Sequence, residues 1–275
     1  MKGKKKMNII KEHFKSIHQL LSVIESRPNN SVMANAYSSR ENDKHFTRTK
    51  DWNEAVAIFQ NGYVDILDKI KAGVAQHMKS TGITQRRYIR TNVVGYAPHV
   101  PNAILNLPNA MILTESQPQK IKSISIVYNM CANCGTDTSE FIQCGIAVLG
   151  LINTLELQGC RVNLKVAFFC AEKDDERAFV TLDVKDYREH LDLQKLCFPI
   201  AHPSMFRRFG FKWLETCEGL TDYDWRYGYG RSVSLREDDE FAAGVLNKNE
   251  YYLDLPYIKK YKYDVDKLIK SLAIS

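Results

Sequence analysis

The sequence predicts an α/β domain, a sheet flanked by helices and preceded by a helical N-terminal extension. Three observations point to it. Residues 121–170 read as a strand, a polar loop, a helix and a second strand; residues 8–25 and 51–74 carry apolar side chains at helical spacing; and residues 251–272 give a short strand followed by an amphipathic helix.

In chain order, Ile9, Phe14, Ile17, Leu20, Leu21 and Ile24 make a helical stripe that Arg27-Pro28-Asn29-Asn30 ends. Asp51 or Asn53 can open a second helix through Trp52, Ala55, Val56, Ile58 and Phe59. Asn61-Gly62 stops it, and Val64 to Val74 continues as another. The outline is that of a helix–turn–helix. Tyr63, Asp65 and Asp68 occupy the start of the second helix, where a DNA reader needs Arg, Asn or Gln, so a packing role is expected. Residues 92–120 read as irregular, because Pro98, Pro101, Pro108 and Pro118 prevent a long helix and Asn102, Asn106 and Asn109 favour turns. The segment either wraps over the sheet or, from Val100 to Met111, forms a partner-binding arm.

The central unit is the most informative. Ile121 to Tyr128 is a β-branched run of strand length. Thr138 or Thr136 can cap the helix, with Glu140 in its first turn. Phe141, Cys144, Val148, Leu151, Ile152 and Leu155 then recur at three- and four-residue spacing until Gly159 supplies a left-handed stop. Arg161 to Cys170 is the second strand, so the connection is long enough for a helical crossover. The loop between strand and helix lies where an open α/β sheet presents its site.

Farther on, His202-Pro203 with Ser204 and Arg207-Arg208 is the one local arrangement that invites a hydrolase reading. Ser204 lacks the Gly-x-Ser-x-Gly elbow, however, and Pro203 suits the first turn of a helix containing Met205, Phe206, Phe209, Phe211 and Trp213. His202 is expected to cap or pack, and the arginines to lie on an exposed face or pair with Glu215 and Glu218. Residues 219–240 are rich in Gly and aromatic residues without a phosphate-loop pattern, which suits a contact surface. Tyr251 to Leu255 is a strand, Pro256 ends it, and Asp264 starts the closing helix.

The layout of residues 121–170 resembles the von Willebrand factor A (vWA) fold, a Rossmann-like sheet whose first strand ends in a metal-binding Asp-x-Ser-x-Ser loop followed by a long helix. Asn129, Cys131 and Asn133 stand at the three ligand positions, and Asp137 follows. An amide and a thiol are poor ligands for Mg²⁺ or Ca²⁺, so the resemblance implies the scaffold with a degenerate motif and no metal. The segments FTRTKDWNEAVAIFQNGYVDI, AILNLPNAM, LELQGCRV and AHPSMFRRFGFKWLE are similar to a family of uncharacterised bacteriophage proteins. That likeness implies a viral context and no particular reaction.

Composition bounds the function. With 275 residues, 44% of them hydrophobic, the chain can bury a sizeable core as one main domain, residues 46–275, behind a basic extension, residues 1–45. No run of eighteen apolar residues and no signal-peptide pattern is evident, so a soluble location, in the host cytoplasm or the virion, is expected. The seven cysteines suit reduced, buried thiols. Cys131 and Cys134 form a Cys-x-x-Cys pair, but no second pair or His-x-x-x-His accompanies it for zinc. Lysines crowd the first fifteen residues, and Arg86, Arg87 and Arg90 cluster around Tyr88; both can meet phosphates or an acidic protein face. The function expected is a non-catalytic, cofactor-free interaction or assembly protein, bound to a viral or host protein and not to membrane. Asn129, Cys131, Asn133 and Asp137 in one loop, and Tyr223, Trp225, Tyr227 and Tyr229 in another, are the candidate contacts. A nucleic-acid-binding accessory protein and a metal-dependent vWA-type domain are the alternatives.

Overall fold

The computed structural model describes residues 8–29, 37–81, 88–95, 97–115, 122–173, 176–219, 231–232, 235, 245–247 and 249–272. Strand β1 (Asn8–Phe14) leads into helix α1 (Ile17–Ser26), and a 3-10 turn at Tyr37–Ser39 precedes α2 (Lys44–Thr47), α3 (Trp52–Asn61) and α4 (Leu67–Thr81). Next come β2 (Tyr88–Asn92), β3 (Ala97–Pro98), α5 (Val100–Ile104) and β4 (Met111–Glu115). The central unit is β5 (Ser123–Asn129), α6 (Thr138–Leu157), β6 (Arg161–Lys173) and β7 (Glu176–Lys185). It is followed by α7 (Leu193–Ala201), a π-helical stretch at Met205–Gly210 that runs into α8 (Phe211–Thr216), then β8 (Arg231–Ser232), β9 (Glu250–Asp254), α9 (Leu255–Lys260) and α10 (Val265–Ser271).

The main sheet has the order β1-β7-β6-β5-β9, with β8 added to β6 beyond the end of β5. Three pairings are parallel, β1 with β7, β5 with β6, and β5 with β9, while β6 and β7 form an antiparallel hairpin. The expected β–α–β crossover is therefore present, with Ile126 opposite Leu164 and Asn129 opposite Ala167. Capping follows the sequence closely. Asp51 accepts a 2.8 Å bond from the Glu54 N–H, Gly62 ends α3 at φ 85°, Gly159 follows α6 at φ 88°, and Asp264 accepts from the Lys267 N–H. The N-cap of α6 is Asp137, not Thr136 or Thr138.

Alternation along the strands splits the sheet into two faces. Ile124, Ile126, Tyr128, Val162, Leu164, Val166, Val180 and Leu182 point into the main core beneath the helices. Val127, Ala167, Phe169, Phe179 and Tyr252 point the other way, into a smaller cluster with Leu235. Helix α6 is long and apolar enough to cross a membrane by length and composition, yet it lies mostly buried against β6, α4, α7, α9 and α10. Burial of each of its large aliphatic side chains contributes about 1.5–3 kcal/mol. Two glycines set the approach of its neighbours: a Cβ on Gly145 would stand 2.7 Å from the Cβ of Ala201, and one on Gly73 would stand 2.6 Å from Ile146 Cγ2.

Two expectations need correction. Residues 8–14 are a strand, and helix begins only at Ile17. Ile10 and Phe14 pack on the core while Lys11 and His13 line the other face, a two-residue alternation that the edge of β7 selects by offering hydrogen bonds along its length. Residues 92–115 are not wholly irregular, since β2, β4 and β3 form a small antiparallel sheet. The prolines there limit α5 to five residues, with Pro101 in its first turn.

Because α6 and α7 meet at a position with no room for a side chain, Gly145→Val should destabilise the protein by about 2 kcal/mol or more, read as a lower urea midpoint. Gly135→Ala, at an open position, should change it by less than about 0.5 kcal/mol.

Candidate functional site

The loop after β5 sits at the carboxyl ends of β5, β6 and β9, and the structure gives its four candidate residues different roles. Asn129 is buried. Its Oδ1 accepts from the backbone N–H of Cys131 at 3.1 Å and of Phe169 at 3.2 Å, and its Nδ2 donates to Tyr252 Oη at 2.9 Å. One amide thus ties β5 to β6 and β9. Cys131 is also buried, with its Sγ 3.3 Å from Cys170 Sγ. Asn133 is exposed and accepts from the Ser232 hydroxyl at 3.3 Å, while Asp137 is exposed at the start of α6. Asp254, opposite Asn129 in register, caps α9 by accepting from the Tyr257 N–H at 2.8 Å.

This arrangement does not fit the metal of the Asp-x-Ser-x-Ser loop. The Asn129 carbonyl is directed to two N–H donors, the Cys131 sulfur faces another sulfur, and among the described residues no group of three or more His, Cys, Asp and Glu could hold an ion.

What holds the loop is a residue that sequence reasoning placed elsewhere. Arg207 is buried, not exposed. Its guanidinium donates to the carbonyls of Phe46 at 2.7 Å, Asn133 at 3.2 Å and Thr136 at 2.9 Å, and lies over the Phe46 ring. Burial pushes its pKa down to about 10, which leaves it charged at neutral pH. Arg208 is buried beside it and donates to the carbonyls of Ser38 at 2.7 Å and Thr49 at 2.9 Å. Neither pairs as expected. Glu215 instead accepts from the backbone N–H and hydroxyl of Ser38, and the Ser204 hydroxyl donates to the Thr47 carbonyl at 2.6 Å. The only signal in the sequence was that both arginines lie inside an aromatic run, where a helix of this size has little solvent-facing surface.

His202 packs, as expected. Its ring stacks on Phe198 and meets Tyr63 edge-on, and Nδ1 accepts from the Ser204 N–H at 3.1 Å. Burial, helped by the positive charge of Arg208, pushes its pKa down to about 3.

A second surface lies around the small sheet. Val93, Val94, Val100, Ile104, Leu105 and Leu107 are all exposed, Ile104 at 78% and Val94 at 75%. Local bonds hold them outward. Asn102 Nδ2 donates to the Asn109 carbonyl at 2.9 Å, the His99 N–H donates to the Ala110 carbonyl at 2.7 Å, and Gly95 lies so close to the Ile112 carbonyl that a Cβ would be 2.2 Å away. Arg90 falls on β2. Arg86, Arg87, Tyr223, Trp225, Tyr227 and Tyr229 lie outside the described residues.

One hollow has no signature in the sequence. A cavity of about 690 Å³ opens at the other end of the sheet, past β1 and β7, lined among others by Lys15, His18, Phe59, Asp186, Lys195 and Phe198. Several of its charged groups are engaged: Lys195 pairs with Glu189 at 3.2 Å, Asp192 caps α7, and buried Lys185 pairs with Glu156 at 2.6 Å.

A family model described as "Domain of unknown function (DUF7192)" matches residues 2–273, so the chain belongs to that family. No curated protein and no solved structure matches it.

Replacing Arg207 by Met keeps the apolar stem but leaves buried carbonyls without donors. It should cost about 3 kcal/mol in urea unfolding. Acid should act on buried His202, which the fold holds neutral. An imidazole in the unfolded chain titrates near 6.5, whereas His202 in the fold titrates near 3, so only the unfolded state takes up this proton as pH falls between those values. The His202 contribution is complete above about pH 7 and should fall by about 2 kcal/mol between pH 6.5 and 5. His202→Gln, which keeps an acceptor and does not titrate, should flatten that part of the stability profile.

Proposed function

We propose that this DUF7192 chain is a non-catalytic interaction or assembly protein on a vWA-like scaffold, acting in a bacteriophage context with another viral or host protein as its partner. The observation that carries the reading is the exposed aliphatic group at Val93, Val94, Val100, Ile104, Leu105 and Leu107. Large aliphatic side chains left exposed beside turns fixed by their own hydrogen bonds are what a protein interface uses to gain affinity. The exposed part of the loop after β5, at Asn133 and Asp137, offers a separate polar surface.

Support for the scaffold comes from the order of strand, polar loop, long apolar helix and parallel second strand. Support for binding over metal chemistry comes from the loop's donors: Asn129 and Cys131 are committed to contacts that brace the sheet.

The test compares wild type with the double variant Ile104→Asp, Leu105→Asp. Both positions are exposed, so stability should change by less than about 0.5 kcal/mol. Tagged protein purified from infected cells after nuclease treatment should retain a stoichiometric protein that the variant loses. Equal retention by the variant, or co-purification of nucleic acid alone, would overturn the reading.

A further inference from the structure

The sequence sets Cys131 beside Cys134, but the fold gives Cys131 a different neighbour. Cys131 and Cys170 lie 39 residues apart in the chain, both buried, with their sulfurs 3.3 Å apart. Cys134 is exposed. We propose that Cys131 and Cys170 are an oxidative modification site, a thiol pair that a peroxide converts into a disulfide joining the loop after β5 to strand β6.

Two independent features carry this. One is the contact itself, which leaves the sulfurs to close by little more than 1 Å to reach a bond of about 2.05 Å. The other is the Asn129 amide. Its Oδ1 holds the N–H of Cys131 and the N–H of Phe169, the residue before Cys170, so a single acceptor fixes the two cysteine backbones relative to each other. The pair is positioned by the sheet and does not depend on a flexible loop to meet.

The chemistry balances with hydrogen peroxide as the oxidant. One sulfur, as thiolate, attacks the O–O bond and becomes a sulfenic acid, with water formed from the departing oxygen. The second sulfur attacks the first, the S–S bond forms, and the hydroxyl leaves as a second water. Two thiols and one peroxide give one disulfide and two waters. The covalent loop then encloses all of α6 and most of β6, which restricts the unfolded chain and raises the melting temperature, by roughly 5 °C or more.

The experiment is a peroxide titration of the whole protein, followed by blocking of remaining thiols, intact mass and a non-reducing peptide map. Wild type should lose the mass of two hydrogens and give a Cys131–Cys170 linked peptide, and Cys134→Ser should do the same. Cys131→Ala and Cys170→Ala should lose the linkage and the rise in melting temperature. A Cys131–Cys134 linkage would overturn the proposal. So would a wild-type protein whose Cys131 and Cys170 remain thiols at peroxide levels that already oxidise Cys134. Because wild type and Cys134→Ser decide the matter, misfolding of a buried-site variant leaves the test intact.

Discussion

Two guanidinium groups buried side by side hold the irregular parts of this protein against its regular core. Arg207 and Arg208 project from the π-helical stretch between α7 and α8, and each reaches backbone carbonyls that have no helix or strand to satisfy them. A planar guanidinium carries five N–H donors and no acceptor, so it can serve several carbonyls at once where a lysine would serve them as a point charge. Arg207 takes the loop after β5, and Arg208 takes the segment between α1 and α3. Glu215, about two turns farther along, completes the second contact through Ser38. Buried charge of this kind is tolerable only because its hydrogen bonds are nearly complete.

From that anchor the rest of the site follows. With its carbonyls fixed by Arg207, the loop brings Cys131 down onto Cys170 and leaves Asn133, Cys134 and Asp137 facing solvent. Asn129 closes the other side by joining three strands through one amide. The polar positions that suggest a metal loop in the sequence are therefore split by the fold into bracing residues below and exposed residues above. The aliphatic arm around α5 stands in contrast, since its hydrogen bonds shape a turn and leave its large side chains outside. The braced centre and the exposed apolar arm are the two features on which the proposed interaction role rests.

Local signals carried much of the fold. The βαβ unit, the helices from Asp51 to Asn61 and from Asp264, and the stop at Gly159 were all legible, because hydrophobic period, an N-cap carboxylate and a glycine with positive φ act within one turn of chain. The same signals misled at residues 8–14, where apolar residues fit helical spacing but pair with β7 as a strand. There the deciding partner is 168 residues away, as the Asn8–Glu176 and His13–Thr181 side-chain bonds show.

What the sequence determined by itself was the α/β class, the central strand–helix–strand unit and the glycine stop at Gly159, since these depend on short-range periodicity and backbone preference. Tertiary structure alone decided that Arg207 and Arg208 are interior, that Cys131 meets Cys170 instead of Cys134, and that Asn129 braces three strands. The physical reason is the same in each case. A hydrogen bond or a sulfur contact is set by distance in space, and chain spacing fixes that distance only within a helix turn or along a strand.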